Sequence, residues 1–202
     1  MNMPNKKIHP TRQRLLETAC ELIGKHSIDD ITVDMVLAES GIVKGSLYYH
    51  YEDFNDLIET ALAEMFAAGV NASVAVISAH LDTAADRDAF LEGFRQILAD
   101  TQSEARRSIR FRRARLLALA EHRPRLMARI AAEQARMTGA FTAMFVACQE
   151  RGWFNSDFDP MAAATFIQAY TFGKLIDEVS DDPVDPDAWS DIVMKVLYRI
   201  FA

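Results

Sequence analysis

Cysteine is almost missing from this sequence, since the 202 residues contain only Cys20 and Cys148. The two are far apart in the chain, which argues against a disulfide scaffold and against a cysteine zinc cluster. We expect both to be small, buried apolar side chains. A chain of this length can bury a sizeable core without such cross-links.

Glycine and proline are also scarce, at eight and six residues. They fall between segments whose apolar residues recur at helical spacing, and no segment alternates as a strand does. Internal repeats and low-complexity tracts are missing as well. The predicted fold class is therefore all-α, with about nine helices.

Long apolar runs and excess positive charge are lacking too. No run approaches the roughly 20 apolar residues of a membrane-spanning helix, and residues 1–10 are too polar for a secretion signal. We therefore expect a cytoplasmic protein with no membrane partner. The net charge of -7 argues against coating nucleic acid by bulk electrostatics. Any binding of phosphate must be local.

Motifs of catalysis are missing from the sequence. The five histidines show no His-Glu-x-x-His or Glu-x-x-His spacing. There is no glycine-rich phosphate loop and no Gly-x-Ser-x-Gly elbow. We expect no enzyme activity, no metal site and no cofactor.

Helical signals are clearest near the start of the chain. A first helix is predicted from about Thr11 to Ile23. Thr32 is a candidate N-cap of a short helix that ends before Gly41, which supplies a left-handed stop. A second short helix follows from about Lys44 to Tyr49. Two short helices joined by a glycine turn are typical of a helix-turn-helix, whose second helix enters the major groove.

Later helices carry similar signals. The longest is predicted from about Asp53 to Leu81 and would reach about 40 Å. Gly152 ends a later helix. Asp159-Pro160 and Asp185-Pro186 each place a capping acid before a proline, so two further helices should begin there.

The glycine turn and the second short helix form one continuous motif. It reads Gly41-Ile42-Val43-Lys44-Gly45-Ser46-Leu47-Tyr48-Tyr49-His50-Tyr51. This run resembles the signature of tetracycline-repressor-type (TetR family) regulators, G-[VI]-x-x-[GP]-[ST]-L-Y-x-[HY]-[FY]. The resemblance implies a helix-turn-helix DNA-binding domain over residues 1–55 and a helical effector-binding and dimerisation domain over residues 56–202. It also implies a homodimer that binds a palindromic operator in double-stranded DNA, as a repressor, and leaves it when a small molecule binds the second domain.

Residue chemistry agrees with a DNA-facing helix. In a helix that begins near Lys44, positions 44, 45, 46 and 49 share one side, and Leu47 faces the core. Lys44 can donate to guanine, and Tyr49 can contact thymine methyl groups. Tyr48 and His50 suit phosphate oxygens, and Arg14 would add to a basic arm. The full DNA-binding set is Lys6, Lys7, Arg12, Thr32, Lys44, Gly45, Ser46, Tyr48, Tyr49 and His50. The alternative is a core helix pair with exposed tyrosines and a solvated tail.

Four positions depart from the family pattern. Val43 stands where the family often has a capping serine, at a cost of about 1 kcal/mol. Leu37 replaces a usual alanine. Glu52 and Asp53 stand where a basic residue commonly holds phosphate, and they would repel DNA. These departures motivate a second hypothesis, a helical ligand-binding or adaptor protein whose degenerate helix-turn-helix no longer binds DNA.

Aromatic and methionine side chains lie on stripes that would converge inside the second domain. The resemblance implies that they line a pocket for an apolar or aromatic effector, whereas an ordinary packed core is the alternative. The candidates are Phe66, Phe90, Phe94, Phe111, Met137, Phe141, Met144 and Phe145. The arginines from Arg106 to Arg115 could bind an anionic effector or pair with carboxylates, and their spread around the helix favours pairing.

The last two predicted helices suit a homodimer. The final helix has a broad apolar stripe, and the preceding one has small residues where a partner helix can approach. The alternative is burial within one chain. The predicted interface residues are Phe166, Ala169, Gly173, Ile176, Trp189, Val193, Val196, Leu197 and Ile200.

Overall fold

The computed structural model describes residues 9–201, with side chains as far as Arg199. In that part of the chain all regular structure is helical, and nine of the ten α-helices have seven or more residues. The predicted all-α fold of about nine helices is confirmed. The helices are α1 Pro10–Lys25, α2 Val33–Ser40, α3 Lys44–His50, α4 Phe54–Thr83, α5 Arg87–Gln102, α6 Arg107–Ala120, α7 Pro124–Glu150, α8 Pro160–Gly173, α9 Leu175–Glu178 and α10 Pro186–Phe201. Short 3-10 turns occupy Ile28–Asp30 and Glu104–Arg106.

Local capping explains most of the helix ends. The Thr32 hydroxyl accepts the Met35 N–H at 3.3 Å, and Gly41 ends α2 in the left-handed region with φ 69°. The carboxylates of Asp159 and Asp185 accept N–H groups of the first turns of α8 and α10 at 2.7 and 2.9 Å. These predicted starts are confirmed. The first helix, predicted from about Thr11, begins at Pro10, and its cap is the His9 ring nitrogen, which accepts the Thr11 N–H at 3.3 Å.

The described chain divides into two compact units. The first extends to Ala68 and includes Ala120–Ile130, and the second contains Gly69–Leu119 and the chain from Ala131 onward. Both α4 and α7 therefore contribute residues to both units. The long helix predicted from the sequence is thus one of two helices that the units share.

The first unit has a small core that fixes its short helices. Leu15 from α1, Val36 from α2, Leu47 from α3, Leu57 from α4 and Leu126 from α7 are all fully buried. Full burial of a leucine stabilises by about 1.5–3 kcal/mol. One leucine or valine from each helix thus holds α3 in place from behind.

The second unit has a larger, aromatic core. Phe90 on α5 lies 5.7 Å from Phe94 and from Trp153, and 5.5 Å from Phe154, measured between ring centroids. Cys148 is fully buried in the same cluster. Burial raises the pKa of its thiol to about 12, and that of the half-buried Cys20 to about 11. The expectation of a small, buried apolar side chain is confirmed for Cys148, whereas Cys20 is only partly buried and its thiol donates to the Ala61 carbonyl oxygen at 3.7 Å.

A close approach between α4 and α5 depends on Gly93. A Cβ at this position would lie 2.3 Å from Cε1 of His80. The His80 ring stacks on Phe90, and its Nε2 lies 2.8 Å from the Phe90 carbonyl oxygen. Because a carbonyl only accepts, Nε2 carries the proton in this hydrogen bond.

Helix α4 corrects one expectation from the sequence. By length and composition alone it could cross a membrane. Its apolar side is used for packing, since Leu57, Ala61, Val70 and Ile77 are buried in the cores of the two units. The core helix of a folded domain meets the same criterion, so one such helix is weak evidence for a membrane span.

Candidate nucleic-acid interface and ligand cavity

Helix α3 has two distinct faces. Leu47 is fully buried, as predicted, whereas Tyr49 is 83 % exposed. Lys44 and Gly45 are exposed, and Ser46 is partly exposed. The side predicted to face bases therefore lies opposite the anchoring leucine and leaves its polar groups available.

The turn before α3 is held by a residue that we assigned to the basic arm. Arg14 Nε donates to the Ser40 carbonyl oxygen at 2.6 Å, and the Ser40 hydroxyl accepts the Ile42 N–H at 3.3 Å. Arg14 therefore joins α1 to the end of α2, which corrects its assignment to a free arm. Val43 offers no side-chain cap to α3, in agreement with the missing serine.

The end of α3 is fixed to α1. The buried Tyr51 hydroxyl donates to the Arg12 carbonyl oxygen at 3.1 Å, and the Arg12 guanidinium lies 5.2 Å from the Tyr51 ring centroid. Burial raises the pKa of Tyr51, so the phenol is neutral in the folded chain. Arg12 thus has a structural contact in addition to its predicted contact with phosphate.

The candidate phosphate-binding groups are spread around α3. The His50 ring lies 4.8 Å from His9 and 5.0 Å from Tyr49, and Tyr48 is exposed. Thr32 is exposed at the start of α2. Lys6 and Lys7 lie outside the described residues.

Sequence analysis missed the partners of the acids that follow α3. Arg125, in the first turn of α7, lies 2.8 Å from a Glu52 oxygen, 3.1 Å from an Asp53 oxygen and 3.2 Å from an oxygen of the buried Glu59. The Asp53 pKa is lowered, first by the Asp56 N–H that its carboxylate accepts and then by Arg125. The same carboxylates raise the pKa of Arg125.

A second arginine continues this pairing one turn later. Arg129 lies 2.8 Å from an Asp56 oxygen and donates to the Thr60 hydroxyl at 2.8 Å. Arg125 and Arg129 are four residues apart on α7 and meet acids at similar spacing on α4, which is the only signal that the sequence offered. The acids that we expected to repel DNA are thus largely neutralised within the first unit.

The predicted pocket residues do not form one lining. Phe90, Phe94, Met144 and Phe145 are buried in the aromatic core, and Phe141 packs against it. Met137 is buried, and Phe111 lies 4.8 Å beneath the Arg107 guanidinium. Phe66 belongs to the first unit. An effector site formed by all eight together remains a prediction.

A cavity of about 890 Å³ lies elsewhere in the second unit. It is bordered by the end of α5, the chain up to Arg107, the segment from Asp177 to Asp187, and side chains of α8 and α10. All eight predicted pocket residues are described, and none lines this cavity. Its lining instead includes Gln102, Tyr170 and Trp189.

Two arginines of α6 and of the turn before it are paired with carboxylates. Arg110 is buried and forms an ion pair with the equally buried Glu178. It also donates to the Ser103 carbonyl oxygen at 3.0 Å, and Arg106 lies 2.9 Å from an Asp100 oxygen. The favoured interpretation, pairing with carboxylates, is confirmed for these two arginines.

The predicted dimer residues have several environments. Phe166, Ile176 and Val196 are exposed, as is Ala169, whereas Gly173 is partly buried. Trp189 and Val193 line the cavity. Leu197 is only 2 % exposed, because it lies one turn from Val193 on the side of α10 that packs in its own core, and this corrects its assignment. The Ile200 side chain lies outside the described residues. Ile176 does not share a helix with the predicted residues from Phe166 to Gly173, because α8 ends at Gly173 and Ile176 lies on α9.

Comparisons with known proteins agree with this arrangement. Residues 15–61 match the family model described as "Bacterial regulatory proteins, tetR family". The HTH-type transcriptional regulator SrpR of Pseudomonas putida is 28% identical over 53 residues, which are 26% of this chain and 25% of SrpR. This alignment spans only about a quarter of that relative.

Solved structures extend the likeness to nearly the whole chain. Salmonella enterica GusR superposes with a TM-score of 0.64 at 18% identity, over 98% of this chain and 99% of GusR. The multidrug binding protein EbrR, solved with imidazole, gives 0.62 at 22% identity, over 96% of this chain and 97% of EbrR. At such identities the likeness shows the fold alone.

Proposed function

We propose that this chain, whose amino-terminal domain belongs to the tetR family of bacterial regulatory proteins, is a repressor that binds a palindromic operator as a homodimer and is released by a small molecule. The fold is that of transcription regulators rather than enzymes, and the proposed location is the cytoplasm. One observation carries the proposal. Helix α3 is anchored by the buried Leu47 and leaves Lys44 and Tyr49 free on its other side.

Base recognition is assigned to the exposed side of α3. Lys44 can donate to guanine O6 and N7, Ser46 to a base or a phosphate, and Tyr49 can pack on a thymine methyl group. Gly45 adds no side chain between them, so the backbone can approach the duplex. Specificity then depends on the four positions 44, 45, 46 and 49 on the exposed side of α3 rather than on net charge.

Phosphate contacts surround this reading surface. Tyr48 and His50 lie beside α3, Thr32 is at the start of α2, and Arg12 precedes them on α1. Such contacts position the protein without reading sequence. Pairing of Glu52 and Asp53 with Arg125 supports DNA binding, because it reduces the repulsion that these acids would otherwise cause.

A homodimer supplies two copies of α3. Half-sites are read about 34–36 Å apart, one turn of duplex or a multiple of it. The exposed apolar side chains of α8, α9 and α10, among them Phe166, Ile176, Ile192 and Val196, support the proposed interface. We also propose that the boundary between the DNA-binding domain and the effector-binding domain lies near residue 55.

Release requires that the effector favour one separation of the two α3 helices over another. Because α4 and α7 each contribute to both units, a ligand that shifts either helix in the second unit acts on the other end of the same helix. The pairing of Arg125 and Arg129 with the start of α4 makes the two helices move as one at that end.

Selection from a random pool of DNA duplexes tests the proposal. The full-length protein should enrich one palindromic sequence, and its affinity should fall with salt at a log-log slope of about -0.9 per phosphate neutralised. Tyr49→Ala should lose sequence preference, whereas Val76→Ala, which changes an exposed residue of α4 outside the proposed interfaces, should not.

The adaptor hypothesis remains the second candidate, because α3 lacks a side-chain cap at Val43. It expects no enriched sequence and no salt-dependent binding. That outcome would overturn DNA regulation and leave ligand binding as the function.

A further inference from the structure

We infer that the cavity of the second unit binds a small organic cation that carries an aromatic or apolar group. The inference rests on the proposed ligand-responsive function and names the chemistry of its effector. The cavity volume of about 890 Å³ is within the range of small-molecule sites. All of its lining residues belong to the second unit.

Four residues that line this cavity carry buried polar atoms without partners. Neither the oxygen nor the nitrogen of the Gln102 amide has a hydrogen-bond partner, and the same holds for the Ser103 hydroxyl and the Trp189 indole nitrogen. Glu178, whose side chain is only 7 % exposed, uses one carboxylate oxygen for Arg110 and leaves the other without a partner. All four residues line the cavity. Buried polar groups are normally satisfied, so these atoms have hydrogen-bonding capacity that a bound molecule could use.

The charge of the lining favours a cation. Its basic side chains are engaged: Lys174 is paired with Asp177, and Arg95 with Glu92 at 2.6 Å. Arg107 donates to the Glu178 carbonyl oxygen at 3.1 Å. Within residues 9–201, by contrast, the lining acids Glu104, Asp182 and Asp187 have no ion-pair partner.

These carboxylates set the sign of the electrostatic potential in the cavity. Arg107 keeps its positive charge, because a backbone carbonyl does not neutralise it, but the three unpaired carboxylates outnumber it and the uncompensated charge is negative. An anionic effector would meet repulsion there, and a cation would be attracted.

Aromatic side chains in the lining can contact both the positive charge and the apolar group of such a ligand. The Lys174 ammonium lies 5.4 Å from the Trp189 ring centroid, so this indole already stabilises a positive charge. Tyr170 lines the same cavity, and burial raises its pKa, which keeps the hydroxyl neutral. An ammonium group can donate to Gln102 and Glu178 while an attached ring packs against Trp189.

Three probes with one skeleton separate charge from apolar contact. The probes are 4-phenylbutylamine, 4-phenylbutan-1-ol and 4-phenylbutanoate, and binding to the full-length protein is measured by calorimetry. We expect the amine to bind about tenfold more tightly than the alcohol, and the carboxylate to bind most weakly. Equal affinities, a preference for the carboxylate, or no binding of the amine at its solubility limit would overturn the inference.

Fluorescence locates the bound amine. The chain has two tryptophans, so Trp153→Phe leaves Trp189 as the only one. Its emission should change with the amine, whereas Trp189→Phe, which retains only Trp153, should show no change. A response from Trp153 alone would place the ligand elsewhere and refute the site.

Removal of the acids gives a matched pair of variants. Asp182→Asn with Asp187→Asn should weaken the amine several-fold and leave the alcohol unchanged, whereas Asp82→Asn with Asp157→Asn, which removes two carboxylates outside the cavity, should change neither. Equal weakening by both double variants would contradict a local charge effect.

Operator binding is measured separately. Specific DNA binding without amine binding would overturn this inference and leave the proposed regulator intact. Amine binding without operator release would contradict only the proposed release.

Discussion

The two candidate sites place their polar groups in opposite directions. On α3 the polar groups face outward, and a single leucine holds the helix from behind. In the second unit Gln102, Ser103, Glu178 and Trp189, which carry unpartnered polar atoms, line a cavity bounded by several segments. The outward site on α3 needs few internal contacts to hold it. The inward site, the cavity, exists only where several elements pack around it.

The largest expected effect tests the anchor of the outward site. Leu47→Ala removes a fully buried side chain and should lower the free energy of unfolding of the first unit by about 2–5 kcal/mol. Denaturant unfolding followed by hydrogen exchange of α1 to α3 measures this. Tyr49→Ala, at the exposed side of the same helix, should stay within about 0.5 kcal/mol of the parent. Similar losses for both would show that α3 has no single anchor.

The second prediction concerns Gly93, where α5 packs closely against His80 of α4 in the second unit. Gly93→Ala places a Cβ against the His80 ring and should destabilise by about 1–3 kcal/mol, seen as a lower melting temperature. Gly139→Ala, in the interior of α7 with no atom within 4 Å of the new Cβ, should instead stabilise by up to about 1 kcal/mol. If both variants were stabilised, the approach of α5 to His80 would not require glycine.

Arg125 tests whether the outward site also depends on distant parts of the chain. Arg125→Met leaves the buried Glu59 without its cation and should cost about 1–3 kcal/mol at pH 7. Arg136→Met, which breaks an exposed pair with Glu133, should cost less than about 0.5 kcal/mol.

The loss caused by Arg125→Met should also depend on pH. The Asp53 pKa is lowered from 3.8 in the folded chain, so its stabilising contribution is present above the unfolded value and disappears as pH falls below it. The difference between variant and parent should therefore shrink below about pH 4. A difference that is constant from pH 3 to 7 would contradict the role of this carboxylate.

Tyr49 tests the reading function itself. Tyr49→Ala should reduce discrimination at one operator position by about 1–3 kcal/mol, whereas Lys7→Ala should weaken all duplexes alike. Competition binding with single-base operator variants separates the two. Equal effects across all positions from both variants would contradict the assigned roles.

The smallest effect concerns the hydroxyl that joins α3 to α1. Tyr51→Phe loses the bond to the Arg12 carbonyl oxygen and should cost about 0.5–1.5 kcal/mol. The raised pKa of Tyr51 means that its contribution is complete below pH 10 and is lost as pH rises through the folded value. The phenylalanine variant should lack this alkaline loss, and a parent without it would refute the buried phenol.

Residues that act on their neighbours in the chain were predictable. Thr32, Gly41, Asp159 and Asp185 cap their helices as expected, because a cap needs only the adjacent backbone. The buried position of Leu47 followed from helical spacing. The partner of Glu52 and Asp53 did not follow from any local pattern, because Arg125 lies 73 residues beyond Glu52.

By itself the sequence determined the helical class, the ends of most helices, the glycine turn and the side of α3 that carries Lys44 and Tyr49. These depend on hydrogen bonds and side-chain periodicity within a few residues. Only the tertiary structure decided that Arg125 and Arg129 neutralise the acids of α4, that Leu197 is internal, and where the cavity lies. The reason is that these depend on which faces of distant helices meet, and spacing along one helix does not specify its partner.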